Sequence, residues 1–209
     1  MKFINSQKQP LPLALPTAHS DSRRRQVGDL KLADAAMLDF NYHLQGVNGR
    51  APSVDADQIT SLARWLQELP AETAEATINV RLARAESLRR MLDDPDWTLP
   101  AEVAQSGRRL LDYIRRIDDL IPDDLPLIGH LDDALLVELS WSQFSGEVQD
   151  YLDYRRFLSE SPVRGTADER RCYWESACLA EASQIIHRQQ VRDRGYARIE
   201  PLSRPFRVH

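Results

Sequence analysis

Five residues within eleven positions, Asp123, Asp124, His130, Asp132 and Asp133, are the side chains of this sequence best suited to chemistry. Clustered carboxylates suit hard cations such as Mg2+ or Ca2+, and a histidine among them widens the choice to Mn2+ or Zn2+. If the chain folds back between them, carboxylates nine positions apart share one ion. The spacing matches no calcium loop of the alternating type, which needs oxygens at every second position and a closing glutamate. The same acids have a plainer use, because paired acids that flank a proline turn and open a helix are what capping and the helix dipole select. Asp123, His130, Asp132 and Asp133 form the metal set, with Mg2+ or another divalent cation as the one cofactor class. The wider binding set is Asp119, Asp123, Asp124, Gly129, Asp132 and Asp133.

Motifs for other chemistry are missing. The sequence contains no G-x-S-x-G, no phosphate-cradling glycine loop, no H-E-x-x-H and no dinucleotide fingerprint. Cys172 and Cys178 have no base beside them that spacing identifies. No residue is assigned a catalytic role.

The elements that must position the acids follow from proline and glycine. Pro122 and Pro126 lack a backbone donor and disfavour helix in the residue before them. A helix arriving through Ile114 and Ile117 is predicted to stop near Leu120. Gly129 permits a positive φ or a close approach, so the chain turns there. A second helix is predicted from about Asp132, anchored by Leu135, Leu136, Leu139 and Trp141, and running to Leu158 with a bend at Gly146. Asp132 and Asp133 then sit at the positive end of its dipole. Helix, proline-pinned corner and helix together should bring the aspartates to one exposed spot.

The run Asp119-Leu120-Ile121-Pro122-Asp123, then Leu125-Pro126, Gly129 and Leu131-Asp132-Asp133, resembles the signature of the YkvA family, a bacterial domain of unknown function. The likeness covers residues 107–141. It departs from the family pattern at Arg116-Ile117, where the family has Ser-Pro, and at Asp124, where the family has an apolar residue. The resemblance implies no activity. It implies peripheral contact with a membrane, since many relatives carry the motif beside hydrophobic segments.

Charge separates the remaining function classes. The net charge of −5 gives no global reason to bind nucleic acid. Residues 117–154 hold ten acids and no Lys or Arg, whereas residues 185–209 hold six arginines against two acids. Two readings result. The first is a non-catalytic interaction or regulatory module whose acidic corner docks a basic protein partner. The second is a divalent-metal-dependent, hydrolase-like enzyme built on the aspartates. No run of about 18 apolar residues occurs, and prolines interrupt the apolar residues near position 1, so neither a membrane span nor a signal peptide is expected. The expected compartment is the cytoplasm.

The fold class expected is all-α: about six helices in one domain, residues 28–195, between a polar arm 1–27 and a basic tail 196–209. Charged residues at 28% with aromatics at 7% suit amphipathic helices. Asp29 is predicted to cap a helix that Gly46 ends, and Asp55 or Asp57 to start the next. Pro70 and Pro100 should open two more, and Thr166 with Glu169 forms a capping-box spacing for a last helix that ends at Gly195. Arg81, Arg84, Arg89 and Arg90 fall on an outer face, either solvated or opposite the acidic corner. Six positions apart on a helix, the two cysteines read as buried thiols without a disulfide.

Overall fold

The computed structural model describes residues 11, 26–27, 30–116 and 119–195. Among them are seven α-helices: α1 (Asp34–Val47), α2 (Ala56–Glu68), α3 (Ala71–Asp93), α4 (Ala101–Ile114), α5 (Leu131–Ser140), α6 (Ser145–Glu160) and α7 (Ala167–Gly195). A two-residue antiparallel ribbon, β1 (Gln26–Val27) and β2 (Leu30–Lys31), precedes them. The class is all-α, as expected. Apart from buried Leu11 and strand β1, the predicted arm 1–27 lies outside the described residues, as does the tail 196–209. The chain divides into two compact units at Asp153/Tyr154, within α6.

In the first unit, local chemistry sets several helix ends. Asp55 closes a capping box, its side chain accepting from the Gln58 amide at 2.8 Å while Gln58 Oε1 accepts from the Asp55 amide at 2.9 Å. Pro70 and Pro100 stand immediately before α3 and α4, where a missing N–H costs nothing. Other ends are set by tertiary contact. Helix α1 starts at Asp34 rather than beside Asp29 and ends at Val47, one residue past the expected stop at Gly46, whose carbonyl accepts from Arg109 of α4 at 2.8 Å.

The long helix expected from Asp132 is broken, which raises the count from about six to seven. Helix α5 ends at Ser140, a 3-10 turn occupies Trp141–Gln143, and α6 follows. Two amides from side chains hold the bend: Asn48 Nδ2 donates to Leu139 O and Gln143 Nε2 donates to Val47 O, both at 2.9 Å. Gly146, expected at the bend, lies inside α6 with open space where a Cβ would be.

Helix α5 is the axis of this unit and packs against α1, α3 and α4. Leu131, Ala134, Leu135, Leu136 and Val137 are all completely buried, so this helix has no solvated face in its first two turns. A helix that is apolar all round belongs inside a core. Around it stand Phe40 and Leu44 of α1, Leu88 and Met91 of α3, and Leu110 and Tyr113 of α4. Phe40 meets Tyr113 edge to face at 5.7 Å between ring centres.

In the second unit, Gly165 takes φ 137° just before α7. The predicted capping box is present: Glu169 Oε2 accepts from the Thr166 amide at 2.8 Å and Thr166 Oγ1 accepts from the Glu169 amide at 3.3 Å. The cysteines correct the expectation of buried thiols, since Cys172 and Cys178 are both exposed and free. Leu179, Ile185 and Ile186 of the same helix are exposed as well. No helix among the described residues is long and apolar enough to cross a membrane.

Candidate metal centre

The corner between α4 and α5 is built by apolar anchors and one tight backbone approach. Helix α4 stops at Ile114, earlier than the predicted Leu120, and the Arg116 side chain that follows pairs with Asp39 of α1 at 2.9 Å. Leu120, Ile121 and Ile128 then turn inward and are buried, while Pro122 and Pro126 stay outside. The Leu125 amide donates to Pro122 O at 3.1 Å and the Gly129 amide to Leu125 O at 2.9 Å, which closes two successive turns. A Cβ on Gly129 would stand 2.3 Å from the carbonyl oxygen of Asp123, so only glycine fits. Close approach is thus the reason for Gly129. The positive φ falls instead on Leu127, at 67°.

The structure does not gather the aspartates on one exposed spot. Asp132 and Asp133 are 0% and 1% exposed, Asp119 is half-buried, and Asp123, Asp124 and His130 are exposed. By spacing alone, Asp132 and Asp133 look like the polar start of an amphipathic helix. Because α5 is apolar on every side, any residue in its first turn is carried into the core.

Two trios of possible ligand atoms result, each within 4.8 Å of one another: Asp119, Asp132 and Asp133 inside, and Asp123, His130 and Asp133 at the surface. Asp133 belongs to both. The predicted metal set is therefore split, with Asp132 in the inner trio and Asp123 and His130 in the outer one. Asp119, placed by sequence only in the wider binding set, joins the inner trio. Asp124 joins neither.

Each inner carboxylate is incompletely satisfied. Asp132 Oδ2 accepts from the Tyr113 hydroxyl at 2.9 Å and from the Leu120 and Ile121 amides at 3.1 and 3.3 Å, stapling the corner to α4. Its Oδ1 is buried without a partner, and so are Asp119 Oδ2 and Asp133 Oδ1. Buried polar atoms in folded proteins nearly always have partners, and three such oxygens in one place require an explanation. In the outer trio His130 Nδ1 lies 2.8 Å from Asp123 Oδ1 and 3.4 Å from Asp133 Oδ2, so the imidazole is a partner for both carboxylates there. Among the described residues no Lys or Arg pairs with the inner three.

The electrostatic consequence is large. Burial first, and then the negative charges of Asp132, Asp119 and Asp123, push the Asp133 carboxyl up to about 8. Burial and the charges of Asp132 and Asp123 push Asp119 to about 7. Burial also raises Asp132, against the opposing pull of its hydrogen bonds to Tyr113 and the backbone. Burial and the Asp132 charge raise Tyr113 too, so its hydroxyl keeps the proton it donates. Near neutral pH the inner trio either holds protons or needs a cation.

The arginines of α3 are engaged elsewhere. Arg81 and Arg84 both reach Glu138 of α5, at 3.1 and 3.0 Å, and Arg81 is buried rather than on an outer face. Arg89 and Arg90 both pair with Glu86, at 2.7 and 2.9 Å. Comparison with known proteins finds no family model, curated protein or solved structure that matches this chain.

Proposed function

We propose that the corner binds one divalent cation through Asp119, Asp132 and Asp133, and that the chain works as a cation-dependent helical module. One observation carries the reading: three converging carboxylates, two of them fully buried, each keep a buried oxygen that nothing in the protein satisfies. Oxygens about 2.1–2.5 Å from a shared ion lie at most about 4–5 Å apart, the separation these ligand atoms have. An all-oxygen trio favours Mg2+, Mn2+ or Ca2+, and His130 with Asp123 beside it makes Mn2+ or Zn2+ acceptable. The ion would replace the protons that burial forces onto these carboxyls. No catalytic residue is needed for this role.

The test is thermal unfolding of the full chain at pH 8 with and without each ion. A ligand that binds only the folded state stabilises it by about 2.7 kcal/mol at 100 times its Kd. Saturating Mg2+, Mn2+ or Ca2+ should raise Tm by several degrees, and Asp133→Asn should abolish the rise. No rise with any of them overturns the reading.

Exposed Asp123 and Asp124 support a second reading, docking of a basic protein partner, with the YkvA resemblance pointing to the membrane surface as the place. Asp124 is its discriminator. Asp124→Asn should weaken salt-sensitive partner binding and leave cation binding unchanged.

A further inference from the structure

A cleft of about 220 Å3 opens beside the candidate ion site, and Asp133 and His130 form part of its wall. Its remaining wall comes from α3 and α4. Leu82, Ala85, Leu111 and Ile114 supply an apolar lining, and Glu86, Arg89 and Arg115 supply charge. At about 30 Å3 per water, the space equals roughly seven water molecules, enough for a short alkyl chain or one small ring. A cleft with an apolar lining and a few polar groups is the usual form of a small-molecule site.

The two arginines differ in what they can still do. Arg89 is held by Glu86 through two hydrogen bonds of 2.7 and 2.8 Å and by Asp93 at 2.8 Å. Arg115 is exposed at the end of α4, and its guanidinium has no hydrogen bond or ion pair among the described residues. A planar guanidinium with all its donors available matches a carboxylate or a phosphate two bonds at a time. Without the ion, Glu86 and Asp133 offset the arginines. A divalent cation on the three ionised carboxylates leaves one net negative charge there, yet it gives the cleft wall at Asp133 a hard Lewis acid for ligand oxygens.

We infer that the cleft takes a small phosphate monoester, its alkyl or aryl substituent against Leu82, Ala85, Leu111 and Ile114, and its phosphate between Arg115 and the cation held at Asp133. This inference rests on the cation reading above. A hard divalent ion and an arginine fork lining one cleft suit the doubly charged, many-oxygened phosphate better than a singly charged carboxylate. Binding of phosphate ester and cation is then coupled, and each raises the other's affinity by the same factor.

Calorimetry on the full chain tests this in two steps at pH 8. Mg2+ is titrated first. The Mg2+-loaded protein is then titrated with hexyl phosphate, hexanoate and inorganic phosphate in separate runs. Hexyl phosphate is expected to bind at least tenfold more tightly than either of the others, since each lacks one of the two features. Arg115→Gln, at an exposed position, should weaken hexyl phosphate about tenfold while the Mg2+ titration stays the same. Normal Mg2+ binding overturns the inference, but not the cation reading, if hexyl phosphate fails to bind, if hexanoate equals it, or if Arg115→Gln has no effect. Failure of Mg2+ itself to bind overturns both.

Discussion

Asp133→Asn should make the cation-free protein more stable at pH 8, although it alters a completely buried residue. In the fold the carboxyl of Asp133 titrates near 8 rather than near 3.8, because it is buried beside other acids. The folded state therefore holds a proton that the unfolded chain has already lost, and stability falls as pH rises from about 4 to about 8. At about 1.4 kcal/mol per pH unit, ionisation of this one group removes roughly 5 kcal/mol over that interval. Asparagine keeps the shape and has no charge to bury. Part of the gain is offset, because the amide must find acceptors and the 3.4 Å contact with His130 is weakened. The unsatisfied oxygens of Asp119 and Asp132 are suitable acceptors. The expected net gain is about 2 kcal/mol at pH 8 and close to zero at pH 4, with a Tm rise at pH 8 of roughly 4–8 °C for a chain of this size. Urea unfolding in the presence of a chelator, at both pH values, measures it. Should the variant lose stability at pH 8, burial of a mutually repelling acid trio is the wrong account of the corner.

Three further outcomes are expected. Gly129→Ala should destabilise the first unit by several kcal/mol, because a Cβ would stand 2.3 Å from a backbone oxygen that cannot move without dismantling the turn; chemical denaturation reports it. Glu138→Ala should cost about 3–5 kcal/mol by taking the Glu138 carboxylate away from buried Arg81, whereas Glu86→Ala, which removes a solvent-screened pairing, should leave the denaturation midpoint almost unchanged. Cation affinity should fall as pH drops below about 8 and more steeply below about 7, because Asp133 and then Asp119 take up protons that compete with the ion, a dependence that calorimetry at three pH values follows.

Local signals in the sequence carry much of the fold. Pro70, Pro100, the Asp55 box and the Thr166 box each mark a helix start by chemistry complete within four residues. The expectations that fail depend on distant partners. The break after α5 is held by Asn48 and Gln143 reaching across to other elements. Arg81 looks solvent-facing by spacing, yet Glu138, 57 positions away, draws it inside.

The candidate site divides the same way. Proline and glycine disclose the corner, and of the two reasons for a glycine there, backbone crowding is the one that holds at Gly129. The depth of Asp132 and Asp133 was legible in principle, because Leu131, Ala134, Leu135, Leu136 and Val137 leave α5 no polar side. Tyr113 was not legible, since its hydroxyl meets Asp132 only once α4 and α5 are packed. The positive φ of Leu127 gives no sequence signal at all, for leucine ordinarily avoids that region.

The central claim is that three inner carboxylates hold a divalent ion, and calorimetric titration of the full chain with Mg2+, Mn2+, Ca2+ and Zn2+ at pH 8, alongside Asp133→Asn, tests it most directly. The account predicts saturable binding of one ion per chain for at least one of these metals, with proton release, and loss of that binding in the variant. Flat titrations with all four metals, or binding that survives Asp133→Asn unchanged, would contradict it.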